Sequence, residues 1–302
     1  MTYDVWAKRR FLLILVALLL ARPARAQEEQ RIETEIRLNA IAYGNFFQVP
    51  DGADKENVQA AEAQARLTYG LGENLSTKVF GYLSLTSYRQ FNSSPRFAGG
   101  VMHDSRPHAV EVSAELELNQ PQVDVGDGLD TADTISLVGA YSYRLTQDWE
   151  ASAAFQFRDQ SFDLRPRNDN HMYSAGPALR YRGFGYKFSP EVGASWGDRN
   201  AVDNNEDLSE RDIFLTLRFI PTPPLYISTR LRQRHRGFSV QEEDRSNFGR
   251  MDDRLQWTVM ASYQFTQHLA ANLYYAYTDA DSTRPSRVFT TNLLSVGVAY
   301  GF

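Results

Sequence analysis

The segment LYISTRLRQRHRGF, residues 225–238, places Arg230, Arg232, Arg234 and Arg236 at every second position. Side chains alternate across an extended strand, so this spacing puts four guanidinium groups on one face. The same parity in other segments adds Arg180, Arg182, Arg218 and Arg254. Arginine, unlike lysine, offers a planar fork that grips carboxylate, sulfate or phosphate through two parallel hydrogen bonds. A track of such forks suits anions, acidic oligosaccharides included; paired with carboxylates, the same residues are structural. Carboxylates are present to pair with them. HAVEVSAELEL, residues 108–118, carries Glu111, Glu115 and Glu117 on one face, and Glu62 and Glu150 take the equivalent face of other segments.

Other chemistry is thinly represented. There are five histidines and no cysteine. A serine nucleophile needs a histidine within hydrogen-bond reach. The one close spacing is His103 and Ser105 in GGVMHDSRP, a stretch that reads as loop. His235 sits among the arginines and His268 in a turn, both structural positions. No metal-ligand spacing or phosphate-binding loop occurs. No metal, cofactor or catalytic residue is therefore assigned, and the chain is not expected to be an enzyme.

The elements that position these residues are strands. Segments of roughly ten residues, alternating apolar and polar and rich in Tyr, Phe, Val and Leu, recur along the chain. From Leu255 to Phe265 the odd positions are Leu, Trp, Val, Ala, Tyr and Phe, whereas the even ones are Gln, Thr, Met, Ser and Gln. The pattern repeats in 269–277, 213–219 and 135–143. One face suits lipid and the other water. An open sheet with so much one-sided apolar surface would leave its edges unpaired, so closure into a barrel is required. Arginine facing lipid near the midplane would cost ~2–4 kcal/mol, which assigns the arginines to the enclosed side.

Connections alternate in length. GEN (72–74), TQD (146–148), GFG (183–185), PTPP (221–224) and TQH (266–268) are short, whereas stretches such as RPRNDN and QEEDRSNFGRMDD are longer and polar. Aromatic residues of the apolar face gather near the short turns: Tyr69, Tyr143, Trp149, Tyr181, Phe219, Tyr263, Phe265, Tyr300 and Phe302. Direct reading finds thirteen strands. An even number is needed to bring both termini to one end, and the uncertainty falls between residues 91 and 132. A short strand hidden there, with QVDVG (122–126) as the candidate, makes fourteen; an N-terminal segment outside the wall makes twelve. Fourteen is expected, as a transmembrane antiparallel up-and-down β-barrel over residues 27–302.

Residues 1–26 have the layout of a secretory signal peptide: Lys8, Arg9 and Arg10, the apolar run FLLILVALLLA, then Ala24-Arg25-Ala26. Cleavage is expected near Ala26/Gln27. Of 32 basic and 37 acidic residues in the chain, this leader holds five and one, so 27–302 carries a net charge of −9. Nucleic acid is not an expected partner.

The chain ends in SVGVAYGF, with Ser295, Gly297, Tyr300 and Phe302 spaced on a final strand. This ending, with the leader and the strand periodicity, resembles the Gram-negative outer-membrane β-barrel proteins of porin type. In that family the last strand is read by the barrel-assembly machinery and then paired with the first. The resemblance implies a bacterial outer-membrane location after leader cleavage. Its implied partners are outer-membrane lipid, lipopolysaccharide, the assembly machinery and periplasmic chaperones, and the chain is expected to be a monomer. The acidic stretch Asp198 to Asp212 would then be a solvated external loop, or one that collects divalent cations near lipopolysaccharide. Opposed basic and acidic walls would set up a transverse field across the lumen, as in general porins. The function expected is passive passage of small polar or anionic solutes, the alternative structural reading being a lumen filled with ion pairs. The final hairpin also loosely resembles barrels of polysaccharide-export and surface-lipoprotein-assembly systems, which leaves an export or assembly role as an alternative. A lipid-modifying barrel enzyme is a more remote one.

Overall fold

The protein is seen in a computed structural model that describes residues 32–45, 48, 57–72, 75–89, 92–124, 128–183 and 187–302. The leader read over 1–26 and its cleavage point lie outside these residues. Fourteen strands follow one another: β1 (Ile32–Gly44), β2 (Val58–Leu71), β3 (Thr77–Tyr88), β4 (Ser94–Ser105), β5 (His108–Asp124), β6 (Gly128–Arg144), β7 (Trp149–Phe162), β8 (Asn170–Tyr181), β9 (Phe188–Ala201), β10 (Leu208–Thr222), β11 (Leu225–Phe238), β12 (Met251–Gln264), β13 (Leu269–Ser282) and β14 (Phe289–Gly301). Each pairs antiparallel with its neighbour in sequence, and β14 pairs back onto β1, so the sheet is closed. Closure leaves no edge strand to template unwanted pairing.

The seam runs from Glu35 opposite Gly301 to Gly44 opposite Asn292. Beyond it the final residue still pairs: Phe302 N–H donates to Thr34 O at 3.0 Å, and Thr34 N–H to Phe302 O at 3.1 Å. The pairing with β1 thus extends one residue beyond β14, to Phe302.

The missing strand is β4, not QVDVG. Residues 94–105 were expected to be loop because Pro95 and the Gly99-Gly100 pair interrupt the alternation; between two neighbours the ladder tolerates them, with Gly99 opposite Gly81 and Ala114. Residues 106–107 supply a sixth short connection. Residues 122–124 instead extend β5, which together with β6 is the longest hairpin of the barrel. A bulge between Glu117 and Gln120, with Asn119 at φ 51°, inserts one extra residue there. That insertion reverses the side-chain parity, which hides the continuation from a period-two reading.

The burial is inside out relative to a water-soluble barrel. Large apolar side chains are exposed on the outer face: on β12, Leu255 and Trp257 retain 45% and 47% of their accessible surface. The buried residues of the inner face include the charged and polar Glu210, Asp212, Thr216 and Asp252. On β12 the outward apolar row spans the ten residue steps from Leu255 to Phe265. At ~3.4 Å per residue and a tilt of ~40° this makes a band ~26 Å tall, the ~25 Å of a spanning barrel.

Both margins of the band are marked. At the short-turn end every aromatic named above turns outward, with Trp149 and Tyr181 in ring contact at 4.8 Å and Tyr300 and Phe302 at 5.8 Å. At the long-loop end the outward row turns polar, running Arg211, His235, Asp253, Asp281 from β10 to β13. Among the described residues no helix is long and apolar enough to cross a membrane; strands form the whole span.

Candidate functional site: the charged lumen

The inward face is fixed by register. Arg236, Arg234, Arg232 and Arg230 of β11 lie opposite Glu210, Asp212, Phe214 and Thr216 of β10 and opposite Asp252, Arg254, Gln256 and Thr258 of β12. Two carboxylates that the sequence reading did not single out zip the arginine ladder. Arg236 Nε donates to Glu210 Oε2 at 2.6 Å and Arg234 Nε to Asp212 Oδ1 at 3.0 Å, while Arg232 also bonds Asp212. The carboxylates lie at the foot of the wall, with Asp212 at 3% and Glu210 at 5% side-chain exposure, and the arginines lie over them. Solvent in the lumen therefore meets guanidinium before carboxylate.

A second node joins β7 to β10. Glu191 on β9 accepts from Arg180 Nε at 2.7 Å and from Arg218 Nη1 at 2.8 Å. Glu150 on β7 accepts from Arg180 at 3.3 Å and pairs with Arg182 at 2.5 Å. Glu150 was expected on the acidic wall; the structure seats it among the arginines, because β7 is the immediate neighbour of β8.

On the β7–β12 arc three arginines have no carboxylate of their own among the described residues. Arg230 lies over the Phe214 ring at 3.9 Å and Arg254 over the Phe289 ring at 5.5 Å. Arg158 on β7 has as its hydrogen-bond partner only Met172 Sδ at 3.5 Å. Stacking on a ring uses the flat face of the guanidinium and leaves its in-plane donors free.

The opposite arc, β1 to β5, has the other sign. Arg96 pairs with Glu117 at 3.0 Å and Glu115 at 3.5 Å, and Glu62 accepts from Asn39 at 2.9 Å. Glu111 lies opposite Met102 and Ala140, with no bonded partner among the described residues. Among the described residues of this arc Glu33, Glu35, Glu62, Asp104, Glu111, Glu115 and Glu117 face inward with Arg37, Arg66, Lys78 and Arg96: seven carboxylates to four cations. From β7 to β12 the inward set is Arg158, Arg180, Arg182, Arg199, Arg218, Arg230, Arg232, Arg234, Arg236 and Arg254 against Glu150, Glu191, Glu210, Asp212 and Asp252: ten to five. β13 and β14 are uncharged on their inner faces. Antipodal strands in a ring of fourteen stand seven apart, so β11 faces β4 across the lumen, and the two arcs oppose each other.

The histidines weighed for other chemistry are scattered. His103 and Ser105 lie on β4 rather than on a loop, both turned outward near the short-turn end; His103 Nδ1 is 2.7 Å from Thr77 Oγ1. His235 faces outward 3.0 Å from Asp253, and His268 Nδ1 is 2.8 Å from Gly301 O. Among the described residues no group of three or more side chains is placed to hold a metal ion. Of the four residues expected to form a terminal assembly signal, Ser295 and Gly297 face inward opposite Ile41 and Asn39, whereas Tyr300 and Phe302 face outward.

This lumen and wall define a transmembrane β-barrel. Neither a protein-family model nor a curated protein sequence matches the chain. Among solved structures, the outer-membrane-expressed OmpT of Vibrio cholerae is similar at a TM-score of 0.52 and 10% identity, over 90% of this chain and 97% of that one. A loop-deletion mutant of the same outer-membrane protein aligns at 0.51 and 10% identity, over 90% and 99%. At such identities the likeness is of fold: a closed antiparallel barrel of the kind found in outer-membrane proteins.

Proposed function

We propose that the chain is a porin-like channel of a bacterial outer membrane, through which small polar and anionic solutes pass passively along the arginine-lined lumen. The observation that carries this reading is the surplus of guanidinium on the β7–β12 arc, set across the lumen from a carboxylate-rich arc. Such a field favours anions along one side and orients polar solutes in the middle.

Size supports it. Fourteen strands ~4.8 Å apart and tilted by ~40° make a ring ~28 Å across at the backbone, between the filled eight-strand and the aqueous sixteen-strand cases. Seven of the ten arginines on this arc are tied to carboxylates, and Arg230 and Arg254 lie over aromatic rings, so these side chains lie along the wall. In this reading residues 1–26 export the chain, Ser295, Gly297, Tyr300 and Phe302 present it to the assembly machinery, and the barrel works as a monomer without catalytic chemistry.

Planar-bilayer recording on the purified barrel tests it. Discrete conductance with a reversal potential favouring anions in a KCl gradient is expected, and Arg232→Glu should move that potential towards cation preference. Silence at all voltages, or selectivity unaltered by Arg232→Glu, would overturn the reading.

A further inference from the structure

The strand that alternation does not reveal hollows the lumen wall. Midway along, β4 turns only Ala98 and Gly100 inward, between Tyr82 and Phe80 of β3 and Glu115 and Ser113 of β5. A recess of 350 Å³ results, reaching from Arg66 on β2 to Gln156 on β7.

Two opposite charges line this recess without a charged partner. Of the four inward cations on the β1–β5 arc, Arg37, Lys78 and Arg96 pair with carboxylates at 2.9, 2.7 and 3.0 Å. Arg66 has none among the described residues and lies instead over the Phe80 ring at 5.1 Å, which leaves its in-plane donors open. Glu111 likewise has no bonded partner among the described residues, and both side chains are exposed to the lumen. They do not pair with each other because Phe80 holds the guanidinium towards β4: the ring packs on Gly100, where an added Cβ would lie 2.8 Å from Phe80 Cζ. Gly100, opposite Ser113, is one strand and two residues from Glu111, ~8 Å away at ~4.8 Å per strand and ~3.4 Å per residue.

We infer that this recess is a saturable binding site for a short zwitterionic peptide, a dipeptide above all. The inference goes beyond the anion passage proposed above: the site lies on the opposite arc, and its ligand carries no net charge. The peptide's carboxylate takes the open fork of Arg66, and its ammonium takes Glu111. An extended dipeptide sets these ends ~7 Å apart, whereas the charges of a single α-amino acid stand only ~2.5 Å apart. Ser113, Ser136 and Gln156 each donate and accept, as a peptide N–H and C=O require, while Tyr82 and Val138 offer apolar surface to the peptide's side chains.

Isothermal titration of the detergent-solubilised barrel with alanylalanine, N-acetylalanylalanine and alanylalanine amide tests the site without requiring conductance. Alanylalanine should bind saturably in the millimolar range, about fivefold tighter than either blocked form, the upper end of what one exposed charge pair supplies. Arg66→Gln should erase the preference over the amide and keep the preference over the acetylated form; Glu111→Gln should do the reverse. Glu242→Gln, on the external loop after β11, should change neither. Far-ultraviolet circular dichroism and heat-dependent gel mobility show which variants form the barrel, and the comparison of the three peptides on the wild type holds without them. No saturable binding of alanylalanine, equal affinity for the three peptides, or a folded variant that weakens all three alike would overturn the inference. A barrel that conducts without binding the dipeptide loses the site and keeps the channel; one that binds it without conducting keeps the site and loses the channel.

Discussion

The two-sided wall makes a sharp prediction at two adjacent residues of β12. Val259 faces outward, six residues from Asp253 at the polar margin and six from Phe265 at the aromatic one. At ~3.4 Å per residue and a tilt of ~40° each margin is ~15 Å away, which puts Val259 at the midplane of the apolar band. Arginine there should cost ~2–4 kcal/mol. Met260, the next residue, faces the lumen with 40% of its surface exposed, opposite Ser228 and Tyr274. Arginine at that position meets enclosed water and no cation across the ladder, so it should stay within about 0.5 kcal/mol of wild type. The difference corresponds to roughly 30- to 700-fold in the folding equilibrium, at 1.4 kcal/mol per factor of ten. Reversible unfolding from phospholipid vesicles in denaturant measures it, followed by the fluorescence of Trp149, Trp196 and Trp257, all on the outer face. If Val259→Arg and Met260→Arg cost the same, or Met260→Arg costs more, the assignment of faces to lipid and water is wrong.

Other variants probe the lumen and the seam. Glu191→Gln removes the sole carboxylate partner of Arg218 among the described residues and one of two for Arg180; a loss of about 1–3 kcal/mol is expected in the same unfolding assay, and a change within about 0.5 kcal/mol would show that the node is dispensable. Gly297→Val introduces a Cβ that overlaps the Asn39 side chain and the Leu38 carbonyl oxygen. Closure of β14 on β1 should then slow, read as a smaller fraction of the heat-modifiable band during refolding, whereas wild-type kinetics would deny the close approach any role.

The fold was legible because alternation is strong where one face meets lipid: β10 to β13 read directly from the odd and even positions. β4 was not, since glycines and a proline erase the contrast, and only pairing partners on both sides reveal the strand. The inward parity of the arginines was equally plain in sequence. Their neutralising partners were legible in principle, because Glu210 and Asp212 share the parity of Arg218 within LSERDIFLTLRF, and Glu191 follows from the same rule. They are isolated acids and form no run of one sign. Arg158 shares the parity of Glu150 and Gln156 on β7, yet its lack of a carboxylate depends on which strands are neighbours in space. Arg199 and Arg250 had no readable signal: their partners lie seven residues ahead for Arg199, at Glu206 in a 3-10 turn, and two ahead for Arg250, at Asp252.

The tethering of the long cationic side chains to carboxylates beside them bears on the calibre of the passage. Arg180 is held by an acid on each flanking strand, and Arg232 and Arg234 each by two acids of β10. A side chain moored at its tip in this way cannot swing into the bore as its torsions relax. If the barrel conducts, as proposed, its bore follows mainly from strand count and inclination, which are rigid, and single-channel current should be quiet between blocking events.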